Sequence, residues 1–182
     1  MSNASPIITD IHTLPQKQAL EILMQITRIE KRTFPTSEAF EFSPDLWRKK
    51  PNTRVLYAKL ASPTETKAPA TTAAAAAAAA ATTAADVTVI AYAVYVRIRG
   101  TALLHKVCVA EAYRGQGLGK QLMAHIQARL VREGCQIVHL WVDTGRETAR
   151  RLYIGCGFEE VEMVEDYYGN GRTGVKMVWE IG

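Results

Sequence analysis

Cysteine is scarce in this sequence: Cys108, Cys135 and Cys156 are the only three. An odd count with no CxxC pair argues against a disulfide framework and against structural zinc, and no metal is expected. A reducing compartment, cytoplasm or nucleus, fits that usage best. Long apolar runs are also missing. None approaches the roughly 18 residues needed to span a membrane, because the alanine run is bracketed by Thr71, Thr72, Thr82 and Thr83. Met1 to Leu14 lacks the charged-then-apolar pattern of a secretory leader. Charge of one sign is not in great surplus either. A net charge of +4 suits an anionic ligand such as a nucleotide phosphate, and without interleaved aromatics it does not indicate specific nucleic-acid recognition.

What remains is ordinary globular composition. Hydrophobic residues make up 48% of a 182-residue chain, enough to build a buried core in one domain. A single domain over residues 1–182 is expected, and a monomer. Residues 1 to 14 read as a leader or first strand. Ala19, Leu20, Leu23, Ile26 and Ile29 recur at helical spacing between Pro15 and Arg32. Phe34-Pro35 stops that helix, because the residue before proline is pushed out of the helical region. Thr36 or Ser37 is placed to cap a short second helix through Trp47, and Asn52 to Leu60 reads as a strand.

A low-complexity insert follows at about 62–86, with nine consecutive alanines from Ala73 to Ala81. Such a run is marginal as an isolated helix, so a loop is expected. Strands are then predicted at Val87 to Arg97 and Thr101 to Val109, a turn at Tyr113 to Gly117, and a helix from Lys120 to Glu133 ended by Gly134. A strand from Ile137 to Val142, a helix from Glu147 to Ile154, and strands at Phe158 to Met163 and Thr173 to Glu180 complete the pattern. The class is α/β, with a mixed sheet and helices on both faces.

The most informative stretch is a strand that enters a glycine-rich turn and continues directly into a helix. Gly115, Gly117 and Gly119 allow backbone N–H groups to approach an anion at a helix N-terminus, and Arg114 and Lys120 add positive charge. The turn is too short for a Walker loop, and its alternating glycines do not match a dinucleotide fingerprint. Arg114-Gly115-Gln116-Gly117-Leu118-Gly119 fits Arg/Gln-x-x-Gly-x-Gly/Ala and, with Val107-x-Val109 before it, resembles the acetyl-CoA loop of the GNAT superfamily. Ala149 to Phe158, with Tyr153 and Gly157, resembles the later family segment A-x-x-x-Y-x-x-x-G-F. The resemblance covers roughly residues 6 to 180. It implies the GNAT fold, splayed at the acetyl-CoA site, with pantetheine bonded to backbone at Val107 and Val109 and Tyr153 placed to protonate the leaving thiolate.

Acetyl transfer to an amine needs a group that removes a proton. His105 is the first candidate, since histidine titrates near neutral pH. It also resembles in position the base of arylalkylamine acetyltransferases. His139 and Asp143 are alternatives on the face of Trp141. Phe34-Pro35-Thr36-Ser37 and the pair Tyr167, Tyr168 resemble two loops that enclose the peptide in protein amino-terminal acetyltransferases, and NatE-type catalytic subunits in particular. That implies Phe34, Pro35, Thr36, Glu38, Trp141, Tyr167 and Tyr168 around an acceptor that is a Met-starting chain, and contact with a ribosome or an acetyltransferase complex. Glu38 and Glu41 would equally suit a cationic small amine, the alternative acceptor. The sequence departs from those enzymes at Leu103 and Trp141, which stand where they carry a tyrosine and a histidine, and at Arg146, which stands for an asparagine. His105 is then the replacement base. A non-catalytic acyl-CoA-binding module is the third reading.

Overall fold

A computed structural model describes residues 6–48, 52–60 and 87–182. The Ala-rich insert expected at about 62–86 and the start of the leader lie outside them. Seven strands form one sheet, β1 (Pro6–Asp10), β2 (Thr53–Leu60), β3 (Val89–Ile98), β4 (Thr101–Val109), β5 (Ile137–Asp143), β6 (Glu159–Val164) and β7 (Gly174–Glu180). Their order is β1-β2-β3-β4-β5-β7-β6. Among the described strands only β4 and β5 pair in parallel. The helices are α1 (Gln16–Thr33), α2 (Asp45–Arg48), α3 (Leu118–Arg132) and α4 (Glu147–Gly155).

Two cores cover the two faces of the sheet. On one face α1 buries Ala19, Ile22, Leu23 and Ile26 against Val55, Tyr57, Tyr92 and Val94. On the other, Leu122, Met123, Ile126 and Leu130 of α3 pack on Ala93, Tyr95, Leu104 and Leu140. Each such aliphatic side chain contributes about 1.5–3 kcal/mol on burial. Phe34 ends α1 in an extended conformation, φ −121 and ψ 143, as Pro35 requires.

The helix expected from Thr36 or Ser37 to Trp47 is a correction. Residues 36–38 form turns and only Asp45–Arg48 is helical. Pro44 is the reason, since it disfavours a helical Ser43 and stops a helix from running through. Conversely, α3 starts at Leu118, ahead of the expected Lys120, with Gly117 as its N-cap at φ 78.

The decisive irregularity lies in β4. Val94 pairs with Lys106 and Tyr95 with Leu104, so His105 is bulged out of the β3–β4 ladder. An extra residue in a strand reverses which face its later side chains occupy. Leu104, Val107 and Val109 therefore all pack toward the α3 core, while Cys108 joins the α1 core. The β4–β5 pairing ends at the same place, with Leu104 opposite Leu140. Beyond it, Trp141–Asp143 pair only with β7. The sheet thus splays open from His105 onward.

Candidate active site

The splay opens into a cleft of about 1380 Å³ between the end of β4, the glycine turn, the last turn of α1 and the start of α4. The turn has the backbone its sequence demands. Gly115 and Gly117 have φ of +74 and +78, with open space where a Cβ would stand, which is the left-handed region that L side chains avoid. The free N–H groups that begin α3 lie behind them. Gly119 also has a packing role. A Cβ there would lie 3.2 Å from Leu152 Cδ2 and 3.8 Å from Val109 Cγ2. Gly119 therefore allows α3 to pack on α4 and β4.

Arg114 lines the cleft and also bonds back to β4. Its Nε donates to the Val109 carbonyl at 3.0 Å, so it pins the turn to β4, and that carbonyl is already engaged. Gln116 donates from Nε2 to the Ala112 carbonyl at 3.5 Å. Leu118 is buried, and Lys120 and Val107 both line the cleft. An open left-handed turn, a helix N-terminus, basic side chains and an unpaired β4 edge fit the diphosphate and the amide-rich arm of acetyl-CoA. Tyr153 follows the cleft-lining Leu152 and is itself buried in the core, outside the cleft lining, with its ring 5.9 Å from Phe158. Burial pushes its phenol far up, so it stays protonated as a proton donor must.

The segment after α1 and the β6–β7 loop converge through Glu38 and Arg172. Pro35 and Thr36 accept backbone hydrogen bonds from Glu38 and Ala39, forming the turn that carries Glu38. Phe34 has Lys106 Nζ 3.9 Å from its ring centroid and the Arg146 guanidinium at 4.5 Å. Its ring is thus flanked by two cations. Trp141 stacks on Tyr167, with centroids 4.3 Å apart and planes at 11°. Tyr168 meets Tyr167 edge-on at 4.9 Å, and burial first, then Tyr167 and Glu38, push its phenol up to about 12. The Tyr167 ring occupies the space above Gly174, where a Cβ would sit 2.8 Å from it. Gly174→Ala is expected to displace that ring and cost about 1–3 kcal/mol, as overpacking does. Urea unfolding would read the loss, and unchanged stability would show that the ring moves freely.

His105 is solvent-exposed, with its ring 5.7 Å from Phe40. Partial desolvation lowers its pKa, helped by the charges of Lys106 and His139. It is neutral at pH 7 and able to accept a proton. His139 is lowered as well, by burial and Lys176. Asp143 is held low by Gly145 N–H and Arg172 against the opposing effect of burial, so it is a poor base. Glu38 is not open to a cationic amine. Both its oxygens are engaged, by Arg146 at 3.1 Å and by Arg172.

Sequence reasoning missed Lys106, Glu30 and Arg172. Glu30 is 1% exposed. It accepts from Phe40 N at 2.8 Å and from the Tyr92 hydroxyl, with Lys106 Nζ 3.5 Å away. The signal was present, since Glu30 continues the buried stripe Ile22, Ile26 at four-residue steps. A carboxylate in such a stripe must be paired.

A family model described as the acetyltransferase (GNAT) family matches residues 24–158. The [ribosomal protein bS18]-alanine N-acetyltransferase of Haemophilus influenzae is 31% identical over 81 residues, covering 44% of this chain and 54% of that protein. N-alpha-acetyltransferase 30 of Saccharomyces cerevisiae is 30% identical over 83 residues, 46% of either chain. The chain thus spans about half the length of these curated relatives. The crystal structure of Ard1 from Thermoplasma volcanium superposes with a TM-score of 0.68 at 18% identity, over 97% of this chain and 98% of that one, which shows the shared fold.

Proposed function

The chain belongs to the acetyltransferase (GNAT) family of acetyl-CoA-dependent enzymes, and on that premise we propose that it acetylates the α-amine of protein N-termini, Met-starting chains above all. The observation that carries this reading is the meeting of two loops over the splay. Glu38 of the first is paired with Arg172 of the second, beside the Trp141–Tyr167 stack. An extended peptide end suits a slot between loops. A small cationic amine would call for an open acidic pocket, and here Glu38 is paired with two arginines.

Bound acetyl-CoA supplies an acetyl thioester, an acyl group with a good leaving thiolate. The chain's own residues then have three tasks. The glycine turn and α3 N-terminus hold the diphosphate. His105, directly or through water, takes the proton that the attacking amine loses as its nitrogen bonds to the acyl carbon. Tyr153 returns a proton to the sulfur as the C–S bond breaks, so CoA leaves as the thiol. A cytoplasmic enzyme that meets chains as they are made is part of the same proposal. Its basic surplus permits contact with a ribosome or partner complex.

The test is localisation of the product. A Met-starting peptide that also carries an internal lysine is incubated with acetyl-CoA, and the modified nitrogen is found by fragmentation mass spectrometry. Acetyl on the α-amine alone is expected. Acetyl on the lysine alone, or none on the peptide while spermidine or tryptamine is modified, overturns the proposal.

A further inference from the structure

Glu38 sits in an irregular turn, yet its side chain is only 8% exposed. Cations from three separate elements converge on it. Lys106, on the bulged part of β4, donates to its backbone carbonyl at 2.6 Å. Arg146, the N-cap residue of α4, donates from Nη2 to Oε2 at 3.1 Å. Arg172, in the β6–β7 loop, donates from Nη1 to Oε1. Arg172 is itself aimed by Asp143, whose Oδ2 accepts its Nε at 2.8 Å. Asp143 is in turn fixed by accepting from Gly145 N–H at 2.8 Å. Arg146 and Lys106 also hold Phe34 from its two cationic contacts. Without the Glu38 carboxylate, Arg146 would lose its ion pair and face the like charge of Arg172, which Asp143 still holds.

We propose that Glu38 is a positioning residue that clasps the two acceptor loops together, and that Arg146 ties this clasp to the cofactor cleft it also lines. The first loop carries Phe34 and the second carries Tyr167 and Tyr168, so the clasp sets the width of the acceptor slot. Arg146 gives the arrangement its direction. It lines the cleft that receives the cofactor and bonds the residue that closes the acceptor loops. This inference rests on the acceptor reading above only for the identity of what enters the slot.

The experiment uses Glu38→Gln, which keeps the shape and removes the charge, and Arg172→Gln, alone and combined. Acceptor KM is expected to rise about 10-fold or more in either single variant, the size of a lost charge-assisted hydrogen bond. kcat should change far less, CoA affinity should hold, and the double variant should be little worse than the singles. Hydrogen exchange on the full chain supplies a readout that needs no acceptor. In Glu38→Gln, residues 34–43 and 165–173 should lose protection together while β4 keeps its own. Loosening of residues 34–43 alone, or additive KM effects, would overturn the clasp. So would an unchanged KM, or an equal loss of kcat and CoA affinity. If the wild-type chain acetylates only small amines, the acceptor class falls while KM for that amine and the exchange pattern still decide the clasp.

Discussion

Gly117→Glu is expected to weaken CoA binding by about 10³-fold, measured by calorimetric titration of the purified variant. Two costs add. A side chain at φ +78 is strained by roughly 1–2 kcal/mol. A carboxylate about 5 Å from a diphosphate charge costs roughly 3 kcal/mol at an effective dielectric near 20. Each 1.4 kcal/mol is about tenfold in affinity. The fold should survive, because Gly117 is exposed and a Cβ there meets nothing within 4 Å. Gly117→Asn separates the two causes, since asparagine tolerates the left-handed region and carries no charge. It should stay within about tenfold of the wild type. Unchanged affinity in Gly117→Glu would remove the glycine turn from the cofactor site.

His105→Ala is expected to lower turnover about 10²-fold, a common size for a lost general base, with CoA affinity intact. The bulge that pushes His105 out of the β3–β4 ladder places it where β4 leaves β5. Its pKa is lowered by desolvation and by the charges of Lys106 and His139. The sign of the pH effect follows. The neutral base form persists at and above the ordinary histidine value, and is lost only as pH falls through the depressed one. Wild-type kcat should therefore show an acid limb below about 6.5 that His105→Ala lacks. If that limb is unchanged in the variant, His105 plays no part in proton transfer. His139→Ala is the companion control, because His139 is also lowered but pairs within the closed part of the sheet opposite Leu103.

Local features were legible in the sequence. The stripe of α1 and its stop at Phe34-Pro35 follow from helical spacing and proline geometry. The glycine turn follows from the need for positive φ at Gly115 and Gly117. The α/β class and the GNAT fold were readable from element order and two motifs. What was not legible depends on register and on contacts distant in the chain. Nothing local marks His105 as a bulge, because a bulge is a relation between two strands. Lys106 is turned toward Glu30 and Phe34 by that bulge, so strict alternation from Leu104 misplaces it. Arg146 and Arg172 reach Glu38 across 108 and 134 residues. The alternative use of Glu38 for a cationic amine was weighed without sight of Arg146 and Arg172, which occupy its carboxylate. Gly119 was read only for its backbone N–H, and its close approach to Leu152 is a packing role that only the neighbouring helix reveals.

The most direct test of the central claim is the initial rate of CoA release from acetyl-CoA with a set of acceptors at pH 7.5. The set is a Met-starting peptide, Ser- and Ala-starting peptides, a lysine peptide with a blocked N-terminus, tryptamine and spermidine. The account predicts turnover of free N-termini, fastest for the Met-starting peptide, and none for the blocked peptide or the two small amines. Turnover confined to the small amines, or silence on every acceptor while CoA still binds tightly, would contradict it.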